Sequence, residues 1–156
     1  MNIIIIAAMT KQGRVIGKDN SLPWDIPEEM KLFRSYTKDS TVILGRKTFE
    51  SVGSKPLPNR NNIIVSTSLP EQEGVDVCRN IKNSIEKAKS YNKEIYILGG
   101  ATIYEQSFQF ANKMYLSFIK KEYEGNTIFP KWSDDEWKIV SKEDHEEFEF
   151  VIFNKK

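Results

Sequence analysis

Apolar positions along this chain fall in short, nearly unbroken runs, separated by polar and glycine-rich stretches. Residues 3–8, 41–44, 62–66 and 95–98 are such runs. They suit strands covered on both faces of a sheet. Residues 75–78 and 113–121 read as two further strands. Between them the spacing changes. Ile26, Met30 and Phe33 recur on one face of a helix over 27–36, with Asp25 or Ile26 as its cap. Pro27 suits the first turn, where its missing N–H costs nothing. Shorter helices are predicted from about residue 48, over 81–91 and over 102–110. The stretch after Ala8 reads as a long loop broken by Gly13 and Gly17, and 122–135 reads as another, holding Gly125 and Pro130. Residues 136–140 and 147–153 close the chain. In the second, Phe148, Phe150 and Ile152 alternate with Glu147, Glu149 and Val151, which suits a partly exposed antiparallel pair. The order is largely βα, with about eight strands and about four helices. It predicts an α/β fold: a single domain over 1–156 with a mixed, mostly parallel central sheet, helices on both faces and antiparallel C-terminal strands.

Composition narrows the functional classes. A chain of 156 residues can bury one sizeable core. A formal net charge of +1 gives no bulk electrostatic case for nucleic acid or an anionic membrane, so any anion site must be local. The single cysteine, Cys78, excludes an intrachain disulfide and a thiolate metal site, and fits a reducing cytoplasm. It reads as a small packed hydrophobe. The first apolar run is too short to span a bilayer and lacks the flanks of a signal peptide. The one histidine, His145, lies among Glu143, Asp144, Glu146 and Glu147 and reads as part of a solvated turn, a poor general base or metal ligand. Asp134, Asp135 and Glu136 read as a solvated turn leading into a strand. No metal centre is expected.

Three strand ends share a pattern. Leu44 is followed by Gly45-Arg46-Lys47-Thr48, Val65 by Ser66-Thr67-Ser68, and Leu98 by Gly99-Gly100-Ala101-Thr102. Ligands of open α/β sheets bind outside the carboxyl ends of strands, where glycine lets backbone N–H groups approach a phosphate. Each segment taken alone also fits a plain turn. Neither G-x-x-x-x-G-K-[ST] nor G-x-G-x-x-G occurs, so a P-loop enzyme and a Rossmann dinucleotide site are unsupported. Glu29 lies beside the apolar helix face near Trp24, Met30 and Phe33, where partial desolvation would raise its pKa. The alternative is that Glu28 and Glu29 only complement the positive end of the helix. Glu28 falls on the other side of that helix. Arg60 follows the stiff run Pro56-Leu57-Pro58-Asn59 and could grip a carboxylate, or be a solvated surface residue.

With these segments in order, the chain resembles the bacterial-type dihydrofolate reductase family nearly from end to end. The resemblance rests on Ile6-Ala7-Ala8, Arg14-Val15-Ile16-Gly17, Leu22-Pro23-Trp24 with Pro27 and Glu29, and Gly45-Arg46-Lys47-Thr48-Phe49-Glu50-Ser51. It continues through Pro56-Leu57-Pro58-Asn59-Arg60, Ile97-Leu98-Gly99-Gly100 with Ile103-Tyr104, and Tyr115-Leu116-Ser117 to Phe129-Pro130. It implies reduction of dihydrofolate by NADPH, and sensitivity to diaminopyrimidine or pteridine antifolates. In that resemblance Glu29 is the acid that pairs with the pteridine, backed by Ser117. Trp24 and Leu22 belong to the loop closing over the nicotinamide, and Tyr104 lies near it. Ile6, Ala8, Met30, Phe33, Val52 and Leu57 wall the pteridine and benzoyl rings, and the backbone of Leu98 helps to bind the pteridine. Arg60 clamps the α-carboxylate of the glutamate tail. Arg46, Lys47, Ser66 and Thr67 surround the adenosine end and its 2′-phosphate. Ala8, Ile16, Gly45, Thr48, Ala101, Thr102 and Ile103 line the rest of the cofactor path. Gly99 and Gly100 lie beside the pyrophosphate, joined by a cis peptide. Thr102 stands where the family often carries a basic residue. A related pterin or pyrimidine reductase on the same fold is the runner-up, and a non-catalytic NADPH-binding module is a third reading. A cytoplasmic monomer is expected.

Overall fold

The computed structural model describes residues 1–19 and 21–156. In chain order the elements are β1 (Ile3–Thr10), β2 (Val15–Gly17), α1 (Pro27–Thr37), β3 (Thr41–Gly45), α2 (Arg46–Ser51), β4 (Asn61–Val65), β5 (Asp76–Cys78) and α3 (Ile81–Lys89). They continue with β6 (Ile95–Ile97), α4 (Ala101–Ser107), β7 (Lys113–Ile119), β8 (Thr127–Ile128), β9 (Trp137–Asp144) and β10 (Phe148–Lys155). Eight strands form one sheet in the order β5-β4-β3-β6-β1-β7-β10-β9. β5 through β7 run parallel, and β10 and β9 are antiparallel additions at one edge. The expected α/β class, central sheet and C-terminal antiparallel pair are present.

The period of two along each buried strand divides the core into two layers. On β1, Ile5, Ala7 and Met9 join one cluster with Ile43, Ile63, Ile97 and Met114, covered by Ile81 and Ile85 of α3 and Ile103 and Tyr104 of α4. Ile4 and Ile6 point the other way, with Val42, Leu44 and Ile64, covered by Phe49 of α2 and by Phe33 and Tyr36 of α1. A third cluster joins Trp24 and Ile26 to Ile119, Phe148 and Phe150, seating the start of α1 on the C-terminal strands.

The loop expected after Ala8 and that over 122–135 are not both plain loops. β1 extends to Thr10, and β2 and β8 pair as a separate two-stranded antiparallel sheet. Gly125 permits this pairing: a Cβ there would lie 2.5 Å from the Gly17 carbonyl oxygen and would also collide with Val15. α2 starts at Arg46, two residues before the predicted helix, so Arg46 and Lys47 sit on its first turn. On α1 the predicted apolar face is only half covered. Met30 and Phe33 are half-buried, and the residues buried on that helix are Glu29 and Thr37.

Candidate functional site

The connections leaving β1 and β6 pass to opposite sides of the sheet, which makes the carboxyl ends of these neighbouring strands a topological switch point. Their pairing stops at Ile5 and Ile97. Just beyond, the Tyr104 hydroxyl spans the two strands, 2.8 Å from the Ile6 carbonyl oxygen and 2.9 Å from that of Leu98. Burial, with a smaller contribution from Glu29, pushes the Tyr104 phenol far above its usual range, so it is a neutral donor. It fixes the floor from which the site opens.

A cleft of about 690 Å³ lies over this end of the sheet. Ala8 from β1, Gly45 from β3, and Leu98 and Gly100 after β6 form its base. Arg46, Lys47 and Thr48 of α2 and Ser66 and Thr67 after β4 stand at one side. Ala101, Thr102, Ile103 and Tyr104 of α4 stand along the middle, and Ile16 and Leu22 cover the far end. Apart from Gly99 and Trp24, every residue expected to touch a cofactor lines this one cleft. Gly99 lies beneath it. Its carbonyl accepts the Gly45 N–H at 2.8 Å, and its φ of 106° excludes most side chains. A Cβ there would sit 2.9 Å from the Tyr104 ring. The Gly99–Gly100 peptide is cis, as the resemblance implies.

The chemistry of the cleft suits a phosphorylated dinucleotide. One end offers the exposed cations Arg46 and Lys47, which form no ion pair among the described residues. Beside them are hydroxyls of Ser66 and Thr67. The other end is apolar. In the middle, glycine backbone and the first N–H groups of α4, which lack partners within the helix, can meet a pyrophosphate.

The second group of expected residues meets along α1. Glu29 is buried, at 8% exposure, and its carboxylate hydrogen-bonds Ser117. Ser117 lies beside Ala8 in the β1–β7 register. Burial raises the Glu29 carboxyl above its ordinary 4.5, and the Ser117 hydrogen bond partly offsets the rise. No cation pairs with it among the described residues. Ile6, Phe33, Leu57 and Leu98 belong to one apolar cluster, while Val52 is 44% exposed and Leu22 46%. Arg60 is fixed at two points: Nε donates to Thr37 Oγ1 at 3.0 Å and Nη1 to the Pro58 carbonyl at 2.7 Å. Burial first, and nearby Arg34 second, lower its pKa, with Asp39 opposing. Trp24 is buried, and its Nε1 has no hydrogen-bond partner among the described residues.

Residues 2–155 match the family described as dihydrofolate reductase. The chain belongs to the dihydrofolate reductase family. It is 40% identical over 152 residues to the dihydrofolate reductase of Bacillus subtilis (strain 168), covering 92% of this chain and 89% of that protein. It is 44% identical over 132 residues to that of Buchnera aphidicola subsp. Acyrthosiphon pisum, covering 85% and 81%. Among solved structures it is similar to the dihydrofolate reductase from Enterococcus faecalis complexed with NADP(H) and RAB-propyl. That match has a TM-score of 0.90 and 30% identity, over 99% of this chain and 96% of the other.

Within this dihydrofolate reductase fold the cleft also takes in residues the sequence reading passed over: Arg79, Asn80, Gln106 and Thr127. Arg79 follows β5 at the same end of the sheet, so the strand-end rule could have found it. Its Nη1 donates to the carbonyls of Ser66 and Leu69, which holds the Ser66 loop in place. Thr127 had no sequence signal, because only the β2–β8 pairing brings it over the cleft. The reading of His145 as a solvated turn residue is corrected. Its side chain is 17% exposed, contacts Glu28 and Glu143, and stacks on Phe148. Glu28 is therefore engaged rather than free.

Proposed function

We propose that this chain reduces 7,8-dihydrofolate to 5,6,7,8-tetrahydrofolate with NADPH, and that the residues above divide into a cofactor cleft and a substrate wall. The observation that carries the assignment of the substrate wall is Glu29, a buried carboxylate beside the cleft with no cation partner among the described residues. Such a group recognises a cationic, amidine-like edge of a heterocycle through paired charge-assisted hydrogen bonds. A pterin offers that edge, and so do diaminopyrimidine antifolates.

The bound cofactor supplies the hydride that goes to C6 of dihydrofolate, while N5 takes a proton and NADP⁺ leaves. The chain supplies orientation and charge. Arg46, Lys47, Ser66 and Thr67 hold the 2′-phosphate, and Gly100 with Ala101 and Thr102 lies along the pyrophosphate. Thr102 gives a hydroxyl, not a charge, at its point of contact. Ala8, Ile16, Leu22, Trp24 and Tyr104 surround the nicotinamide and exclude water from it. Glu29 grips the edge of the pterin away from N5 and favours the protonated substrate electrostatically. The proton itself reaches N5 through water. Ile6, Met30, Phe33, Val52, Leu57 and the Leu98 backbone hold the rings, and Arg60 receives the α-carboxylate of the glutamate tail.

Loss of NADPH absorbance on adding dihydrofolate to the purified chain, blocked by a diaminopyrimidine, is the expected result. Consumption of NADPH with a pyrimidine or flavin-pathway substrate but not with dihydrofolate would move the assignment to a related reductase. The protein is expected to act as a cytoplasmic monomer. Among the described residues no helix is long and apolar enough to cross a membrane.

A further inference from the structure

One residue of β4 departs from the pattern of its strand. The pleat sets Asn62 on the same face as Ile64, which lies in the apolar cluster with Val42, Leu44 and Phe33. That face calls for an apolar side chain at position 62. Asn62 is instead a primary amide, 3% exposed. A buried amide is costly unless its polar groups find partners. Here its oxygen and both hydrogens of its nitrogen are engaged, all by one nearby segment. Oδ1 accepts the Leu57 N–H at 2.8 Å. Nδ2 donates to the Leu57 carbonyl at 2.9 Å and to the Arg60 carbonyl at 3.1 Å. The segment so held is a turn with Pro58 and Asn59 at its middle, Asn59 having a φ of 60°. Among the described residues no backbone hydrogen bond reaches Leu57, so the turn is not closed by an Arg60 N–H on the Leu57 carbonyl. The Asn62 amide closes it.

This turn ends on Arg60, whose guanidinium is aimed from two sides. Nε donates to Thr37 Oγ1 on α1, and Nη1 to the Pro58 carbonyl of the turn itself. Thr37 gives its own hydroxyl proton to the Phe33 carbonyl at 3.0 Å, so toward Arg60 it only accepts. Both hydrogens of Nη2 are left for a ligand among the described residues. A displaced turn would carry the guanidinium off Thr37 and move Leu57 out of the apolar cluster that it shares with Phe33. We propose that Asn62 is a positioning residue for the tail half of the substrate: its amide closes the turn from Leu57 to Arg60, and so sets Leu57 against the benzoyl ring and the Arg60 fork for the carboxylate. This rests on the reading of Leu57 and Arg60 as substrate-binding residues. Asn62 lies under the turn and acts only through these two.

Asn62→Leu keeps bulk on an apolar face and removes the hydrogen bonds to Leu57 and Arg60. It tests this in the full chain, with Asn62→Ser in its place if that variant does not fold. KM and kcat are read with NADPH for dihydrofolate, for dihydropteroate, which keeps the benzoyl ring without the glutamate, and for a methyl-dihydropterin lacking both. Amide hydrogen exchange at Leu57 is followed by NMR. KM for dihydrofolate is expected to rise about threefold to tenfold, within the range of coupling between contacting residues. The rise should be smaller with dihydropteroate and absent with the methyl-dihydropterin, with KM for NADPH unchanged and Leu57 exchange faster. On an Arg60→Lys background the Asn62 change should raise KM for dihydrofolate no more than it does for dihydropteroate. An equal rise for all three substrates, a raised KM for NADPH, unaltered Leu57 exchange, or an unmoved KM for dihydrofolate would each overturn the positioning role. Failure of the reading of Arg60 shows differently: Arg60→Lys would then not separate dihydrofolate from dihydropteroate, while Leu57 exchange would still rise in the Asn62 variant.

Discussion

Glu29→Gln keeps the shape of the buried side chain and removes its charge. The carboxylate is 8% exposed, is hydrogen-bonded by Ser117 and has no cation partner among the described residues. Bound substrate is then the group that would compensate it, and the loss should fall on the chemical step more than on folding. A positioned acid–base group contributes about 10²–10⁴ in rate. At 1.36 kcal/mol per decade this is about 2.7–5.4 kcal/mol of transition-state stabilisation. Single-turnover oxidation of NADPH by dihydrofolate should slow by that factor at neutral pH. It should recover in part as pH falls, because substrate protonated in solution no longer depends on the enzyme's charge. The stability effect has the opposite sign. Burial raises the folded-state pKa of Glu29 above 4.5, so between these two values the folded state binds the proton and the unfolded state does not. Wild-type stability therefore falls as pH rises through that window, and stays reduced above it. The Gln variant lacks this fall. It should melt higher than wild type at neutral pH, with the advantage vanishing below the ordinary carboxylate pKa. A variant that transfers hydride at the wild-type rate, or whose melting advantage grows toward acid, would refute both the pocket and the sign of the shift.

Arg46→Ala should weaken NADPH by about 1.5–3 kcal/mol, the range for a hydrogen bond to a charged group, and leave NADH nearly unchanged; equal losses in the two KM values would remove the 2′-phosphate assignment. Arg60→Lys loses the planar fork anchored on Thr37 and Pro58, and should raise KM for dihydrofolate about tenfold, or about 1.4 kcal/mol. A pterin lacking the glutamate tail should not distinguish that variant from wild type. Gly125→Ala places a Cβ 2.5 Å from the Gly17 carbonyl oxygen. Overpacking of this kind costs about 1–3 kcal/mol, and displacement of β2 and β8 should also raise KM for NADPH, since Ile16, Gly17 and Thr127 line the cleft. An unchanged midpoint and an unchanged KM for NADPH would show that the two segments do not pack as described.

The sequence by itself determined the parts of this protein that are written locally. Continuous apolar runs marked β1, β3, β4 and β6, because strands buried on both faces have no polar side to show. Pro27 and the acids after it marked the start of α1, and the glycines and hydroxyls after the strands marked where a ligand would lie. Contacts made across long separations were left to the tertiary structure. β2 and β8, of three and two residues, have too little pattern to announce themselves and exist only as partners of one another. The apolar face drawn from Ile26, Met30 and Phe33 was the correct helix with an incomplete account of its burial. Which side chains a helix covers depends on what packs against it, and here that placed Glu29 and Thr37 inside. His145 lies 117 residues from Glu28. Its neighbours in sequence are acidic and solvent-loving, so composition assigned it to water. Only the return of β10 alongside β7 sets its ring on Phe148, half-buried against the first turn of α1 and in contact with Glu28 and Glu143.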